Sequence, residues 1–180
     1  MAVPIDIEID KLTNSIENRI SGEVFDTVVS KFETKDSRFI NKKDWLFDWK
    51  AELKEREREV FKLTTVNNPK IVHGLLSIED RKDHIYMHLI ESARFNVGEK
   101  KLYLGIPGNL VAFACKRSFE KGYDGYLVFL SKTRLVNHYM KTLGGRILYG
   151  NYMAIETTAA RSLVEKYYKH KFYGTYTRTS

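Results

Sequence analysis

Apolar and polar positions alternate from the start of the chain. Ile5, Ile7 and Ile9 are interleaved with Asp6, Glu8 and Asp10, the period of a strand with one buried face. Residues 13–20 offer capping side chains and a short amphipathic piece. Residues 22–32 fit strand or helix by pattern, and their β-branched content favours strand. Residues 35–43 are polar and read as a loop. Over 44–58, Trp45, Leu46, Trp49 and Leu53 recur at helical spacing with charges between them, which predicts a helix. Three strand patterns follow, at 60–66, 70–78 and 84–91. They are separated by a turn at Asn67, Asn68 and Pro69 and by the charged turn 79–83, so they read as consecutive antiparallel strands. A loop containing Gly98 follows over 92–102.

From residue 103 the pattern changes. Gly105, Pro107 and Gly108 form a turn, and an amphipathic helix begins there. Val111, Ala112, Cys115 and Phe119 share one side of it, widened by Leu110, Phe113 and Ala114. Lys116, Arg117, Glu120 and Lys121 fall on the other, and Gly122 is a helix stop. Residues 126–130 are an unbroken apolar run of strand length, the pattern of a buried strand. A glycine turn, a helix start and a buried strand make a layout suited to phosphate, because free N–H groups and the positive end of the helix dipole meet at the turn. Residues 132–143 predict a helix with Leu135, Tyr139 and Leu143 on one stripe, ended by Gly144 and Gly145. Residues 146–155 predict a strand or hairpin. Thr157 or Thr158 caps a final helix over 159–169, with Leu163, Val164 and Tyr167 inward. The basic, tyrosine-rich stretch 170–180 is expected to be a partly flexible tail.

Composition narrows the class. At 180 residues and 43% hydrophobic content, the chain is expected to form a single domain with one real core. No apolar run approaches a membrane span, and the acidic N-terminus is unlike a signal peptide. Cys115 is the lone cysteine, so no internal disulfide forms, and a cytoplasmic location is expected. The net charge of +7 is uneven. Residues 1–100 hold 17 Lys/Arg against 19 Asp/Glu, and residues 101–180 hold 13 against 4. A basic second half fits a solubilising face, a phosphorylated cofactor or a nucleic acid.

The order of strand, helical region, three-strand meander, glycine turn into helix, strand, helix and strand resembles the GNAT-type N-acetyltransferases, which use acetyl-coenzyme A. The resemblance runs from about residue 60 to 155. Its most specific parts are 105–122, then 126–130, then the helix carrying Asn137 to Gly144 with Tyr139 before Lys141, Leu143 and Gly144. It implies a mixed α/β (α+β) fold with a largely antiparallel central sheet and helices on both faces. It implies an acyl-coenzyme A-dependent transfer from thioester to a primary amine, by direct attack. It implies that backbone at Leu89, Ile90 and Ser92 holds the pantetheine arm and thioester. Tyr103, Leu104, Gly105, Ile106, Gly108, Asn109 and Leu110 would cradle the diphosphate, with Lys132 beside the cofactor. Tyr139 would protonate the leaving thiolate, and Glu91 would take the amine proton, through water if need be. Lys100, Lys101, Lys116 and Arg117 are the basic residues nearest the turn. The turn departs from the family pattern at Ile106 and Pro107, and Pro107 has no N–H to donate.

Other residues have both structural and chemical readings. Glu79, with Asp80 and Asp83, is a weaker base candidate and fits a solvated turn. His84 and His88 face one side of a strand but lack an obvious third ligand, so no metal site is assigned and they are read as core or cleft residues. His73 reads as exposed and Cys115 as inert helix packing. Trp45 and Trp49 read as core anchors. Asp44, Asp48, Glu52 and Glu55 would suit a cationic amine. A different class stays open: a non-catalytic module of the same fold that contacts RNA or DNA through the basic half and Tyr167, Tyr168, Tyr173 and Tyr176. Monomer and homodimer are both compatible with the sequence.

Overall fold

The computed structural model describes residues 2–176, with side chains through Tyr168. A small sheet lies near the N-terminus. In it β1 (Ile16–Asn18) pairs antiparallel with β2 (Val24–Phe25). The main sheet starts with β3 (Thr27–Lys31) and continues as an antiparallel meander of β4 (Arg58–Thr65), β5 (Gly74–Asp80) and β6 (Ile85–Ser92). The short strand β7 (Tyr103–Leu104) returns to β1 and completes the small sheet. Next come β8 (Leu127–Leu130), β9 (Arg146–Tyr149) and β10 (Tyr152–Ile155). The seven main strands lie in the order β3-β4-β5-β6-β8-β10-β9. Every neighbour pair is antiparallel except β6 and β8.

Alternation along the strands splits the core in two, because successive side chains leave opposite faces of a sheet. Phe61, Leu76 and Ile90 join a large cluster with α2 (Ile106–Glu120), α3 (Val136–Leu143) and α4 (Thr157–Tyr176). Their chain neighbours Val60, Leu75 and Leu89 join a smaller cluster with Phe32, Trp45 and Trp49 on the opposite face, where α1 (Trp49–Glu52) lies. The fold is thus a mixed, largely antiparallel sheet with helices on both faces, as expected. From β4 onward the main strands and helices follow the expected order, whereas the small sheet of β1, β2 and β7 was not expected and the short piece over 13–20 contains β1. Gly105 starts α2 at φ +99°, a left-handed conformation that favours glycine, and Gly144 ends α3 at φ +69°.

Several local expectations are corrected. Residues 44–58 are not one helix: four residues are helical and Leu46 is fully turned to solvent. The Glu91 carboxylate accepts the backbone N–H groups of Leu46 and Phe47, at 2.6 and 3.2 Å, and the Trp49 indole N–H at 2.8 Å. Those N–H groups are satisfied without helical ladders, so long-range bonding overrides local periodicity. Residues 35–43 contain two short 3-10 turns, Thr34–Phe39 and Lys42–Asp44, rather than open loop. His73 is buried. Its backbone bonds Leu63 and Ala93, and its ring packs edge-on against Phe95 and Tyr103. The residues 4–10 are extended, but only Ile5 pairs with the main sheet. The final helix runs past residue 169 to Tyr176, with a kink at Tyr168. The tail expectation falls on 170–180, where side chains and the last four residues lie outside the described residues. Among the described residues, no helix is long and apolar enough to cross a membrane.

Candidate active site

The parallel pair β6 and β8 sets the site. The two strands pair at Ile85 with Leu127 and at Tyr86 with Val128, and then diverge. Beyond Tyr86 a wedge opens between them. One wall is the end of β6, Leu89 to Ser92. Two cavities occupy this region. The larger, about 370 Å³, is lined on one side by Leu89, Ile90, Glu91 and Ser92 and on the other by Pro4, Ile5 and Ile7, with Trp45 and Phe47 behind. The smaller, about 190 Å³, lies towards the start of α2, between Ser92, Gly98, Lys101 and Pro107 and the acidic side chains of Asp6, Glu8 and Asp10.

Residues 4–13 run through this wedge. Ile5 takes the place beside β8 that β6 has vacated: its N–H donates to the Leu130 carbonyl at 2.6 Å, and the Lys132 N–H donates to the Ile5 carbonyl at 3.0 Å. The Tyr139 hydroxyl donates to the Ile7 carbonyl and accepts the Ile7 N–H at 3.2 Å. The Ile9 N–H donates to His138 Nε2 at 2.8 Å. Asp10 then caps the start of α2. Its Oδ1 accepts the Gly105 N–H at 3.1 Å, and its Oδ2 pairs with Lys101 Nζ at 3.2 Å. The Thr13 N–H ends the run on the Tyr167 hydroxyl at 3.1 Å.

The sequence-derived site residues separate into two groups. Leu89, Ile90, Glu91 and Ser92 line the larger cavity, whereas the backbone of Lys132, the buried hydroxyl of Tyr139 and the Gly105 N–H line neither cavity and bond the N-terminal segment at Ile5, Ile7 and Asp10. Gly108 lies under the segment, close enough that a Cβ there would press on Leu12 and the Lys11 carbonyl and clash with the Tyr167 hydroxyl. The others are engaged elsewhere. Tyr103 and Leu104 are paired with β1. Ile106 and Leu110 are core residues packed over Gly74. Asn109 is buried, with its amide donating to the Ser15 and Gly105 carbonyls at 2.9 and 2.8 Å. Of the nearby basic residues, Lys101 faces the wedge. Lys116 pairs with Glu120 and Arg117 with Glu59.

Burial pushes the Tyr139 phenol well above its ordinary pKa, so it carries its proton at neutral pH. Glu91 is buried under three N–H donors and fixes the 44–49 segment as a wall of the larger cavity. His88 bonds Glu79 at 2.8 Å, and burial lowers its pKa despite that carboxylate. His84 pairs with Asp83 at 2.6 Å. Neither histidine lines the wedge cavities. Cys115 is fully buried in α2 and its thiol pKa is pushed up by burial, which suits packing. Asp48 caps α1, and Glu52 is buried against Arg58 and Ser77, so both have structural partners. Asp10, Ile7 and His138 were not singled out from the sequence. Alternation marked residues 5–10 as a strand, but nothing local marks where an extended segment docks.

No family model matches the chain, and no curated protein matches it. Solved structures do. One is a Bacillus anthracis protein assigned as a streptothricin acetyltransferase, solved with acetyl coenzyme A. It is 12% identical, with a TM-score of 0.47, over 72% of this chain and 95% of that one. Another is a spermidine N-acetyltransferase chimera from Vibrio cholerae, 14% identical, with a TM-score of 0.47, over 75% of this chain and 98% of that one. A nourseothricin acetyltransferase is 12% identical, with a TM-score of 0.44, over 72% of this chain and 95% of that one.

Proposed function

We propose that the chain is an acyl-coenzyme A-dependent N-acyltransferase that works in the wedge between β6 and β8. The observation that carries this reading is the divergence of the parallel pair after two residue pairs, with the buried Tyr139 hydroxyl on the Ile7 backbone of the segment that fills the gap. An extended, amide-bearing arm fits beside a strand edge whose partner has moved away, because its amides satisfy the free backbone groups. The start of α2 and Lys101 lie at one end of the gap and suit the phosphates of coenzyme A.

In the reaction, the neutral amine attacks the thioester carbonyl and a C–N bond forms. The oxygen turns negative and is met by backbone N–H at the end of β6. The C–S bond breaks, and the thiolate takes the Tyr139 proton. The amine gives up its extra proton to water in the cavity or to Glu91. A carboxylate has about four acceptor positions, and three N–H groups engage Glu91, which leaves one for a cationic amine or a bridging water. A primary amine is the expected acceptor, and acetyl-coenzyme A is the expected donor.

A second reading is favoured by one observation. Residues 4–13 already fill the wedge, which suits a binding module that keeps the fold without the chemistry. In that case the basic second half would contact RNA or DNA. Tyr167 is buried and Tyr168 is packed by Lys116, so neither offers a free stacking face. Calorimetry with acetyl-coenzyme A on the full chain, alongside a thiol-release assay over a panel of amines, decides between them. Binding with amine-dependent thiol release supports the enzyme. Absence of both at millimolar ligand, with salt-sensitive gel retardation of nucleic acid, supports the module.

A further inference from the structure

We infer that residues 4–13 are an internal strap that competes with the acyl-coenzyme A donor for its own site, so that the chain as folded is latent. The inference rests on the acyltransferase reading and concerns the regulation of that site. The strap takes two groups that the donor would use and fills space beside a third. Ile5 pairs with Leu130 and Lys132 at the end of β8, across the wedge from the β6 backbone that would hold the arm. The Tyr139 hydroxyl is held on both sides by the Ile7 backbone, so it has no proton free for a thiolate. The positive start of α2 and Lys101 hold the Asp10 carboxylate, where a diphosphate would bring its charge.

The strap resembles the donor it displaces. It is an extended backbone with an anion towards one end, and it meets a strand edge, the Tyr139 hydroxyl and the start of α2. It also lies outside the seven-stranded sheet, ahead of β3, so it can leave without breaking a ladder. Its anchors are backbone bonds at Ile5, Ile7 and Ile9, the Asp10 cap, Thr13 on Tyr167, the pairs of Asp6 and Glu8 with Arg134, and the burial of Ile5 and Ile9, and opening it must break these together. Attached to the same chain, it acts at a high effective concentration. The donor therefore binds with an affinity reduced by the fraction of molecules whose strap is open.

Two full-chain variants test this. Asp10→Ala removes the anion from the start of α2, and Ile5→Pro removes the N–H that pairs with Leu130. Calorimetry with acetyl-coenzyme A is expected to show each variant binding about tenfold more tightly than the parent, since each enlarges the open fraction. Hydrogen exchange on the parent supplies a readout that needs no variant. The amides of Ile5, Ile7, Gly105 and Thr13 are expected to be protected in the free protein, and those of Ile5, Ile7 and Thr13 to exchange faster once the donor is bound. If the donor binds and the strap amides stay protected, the strap is a wall of the site and the inference is wrong. Equal affinity of the parent and both variants likewise overturns the strap, while the acyltransferase reading stands. Absence of binding in all three proteins overturns that reading, and the strap with it.

Discussion

Tyr139 shows how much one hydroxyl carries. It joins α3 to the N-terminal segment through both the N–H and the carbonyl of Ile7. Tyr139→Phe keeps the ring on Phe129 and removes both bonds. Unfolding free energy should fall by about 1–2 kcal/mol in urea titrations. In a thiol-release assay at saturating donor, turnover should fall roughly 10²–10⁴-fold while donor affinity holds or improves. Turnover at the parent level would confine Tyr139 to packing. Glu91→Gln should cost about 1–3 kcal/mol, because an amide group replaces an acceptor facing three donors. The Leu46 amide should exchange faster, because the amide oxygen can keep Phe47 and Trp49 while the amide nitrogen faces the Leu46 N–H. His73 gives a pH dependence. Burial lowers its pKa from 6.5 to about 4, so the folded chain keeps it neutral where the unfolded chain takes a proton. The stabilisation is full above about pH 6.5 and is lost as pH falls towards 4, by roughly 3 kcal/mol in all. Urea midpoints for the parent should drop between pH 7 and 5, and a His73→Gln variant should drop less.

The turn into α2 is decided at the scale of elements. Gly105 combines a left-handed φ with close contacts. A Cβ there would lie 2.7 Å from Thr13 Cγ2 and 2.9 Å from the Ser15 carbonyl. Gly105→Ala therefore meets backbone strain on one side and the N-terminal segment on the other. It should lower stability by about 1–3 kcal/mol, and circular dichroism should show the helical signal retained. A Tm equal to the parent's would mean the N-terminal segment yields freely at this point. The segment 44–58 makes the opposite case. Its apolar spacing is helical, but the buried Glu91 carboxylate draws its N–H groups into a wall of the cavity. Only 49–52 keep the helix, where Asp48 caps it.

Across the whole molecule, the uneven charge has a structural outlet. Acids of the first half pair with bases of the second: Asp10 with Lys101, Asp6 and Glu8 with Arg134, Glu59 with Arg117, and Asp80 with Lys121. These pairs are at or near the surface, where each contributes about 0.2–1 kcal/mol and salt screens it. Raising NaCl from about 0.05 to about 1 M should lower the urea-derived stability by no more than about 2 kcal/mol. Amides of Ile5 and Ile7 should lose more exchange protection than amides of β4 and β5, because the Arg134 and Lys101 pairs pin the N-terminal segment and the meander is held by backbone ladders. Uniform loss of protection would show that the segment and the sheet open together.

The sequence by itself determined the elements whose patterns are local. The meander from β4 to β6 follows from strand-length apolar runs between turn residues. The start and stop of α2 and the stop of α3 follow from Gly105, Gly122 and Gly144, which take positive φ. The strand at 127–130 follows from its unbroken apolar run, although only Leu127 and Phe129 are buried. These signals lie within a few residues of the structure they specify. Only the tertiary structure decided where the N-terminal segment goes. Alternation at 5–10 marks an extended chain, but its partners are more than 90 residues away, at Gly105, Leu130, His138, Tyr139 and Tyr167. Burial of His73 and capture of the 44–49 loop by Glu91 were hidden for the same reason. A backbone hydrogen bond or a carboxylate with three donors leaves no periodic trace in either partner's sequence. Long-range polar pairing, not hydrophobic pattern, places these groups.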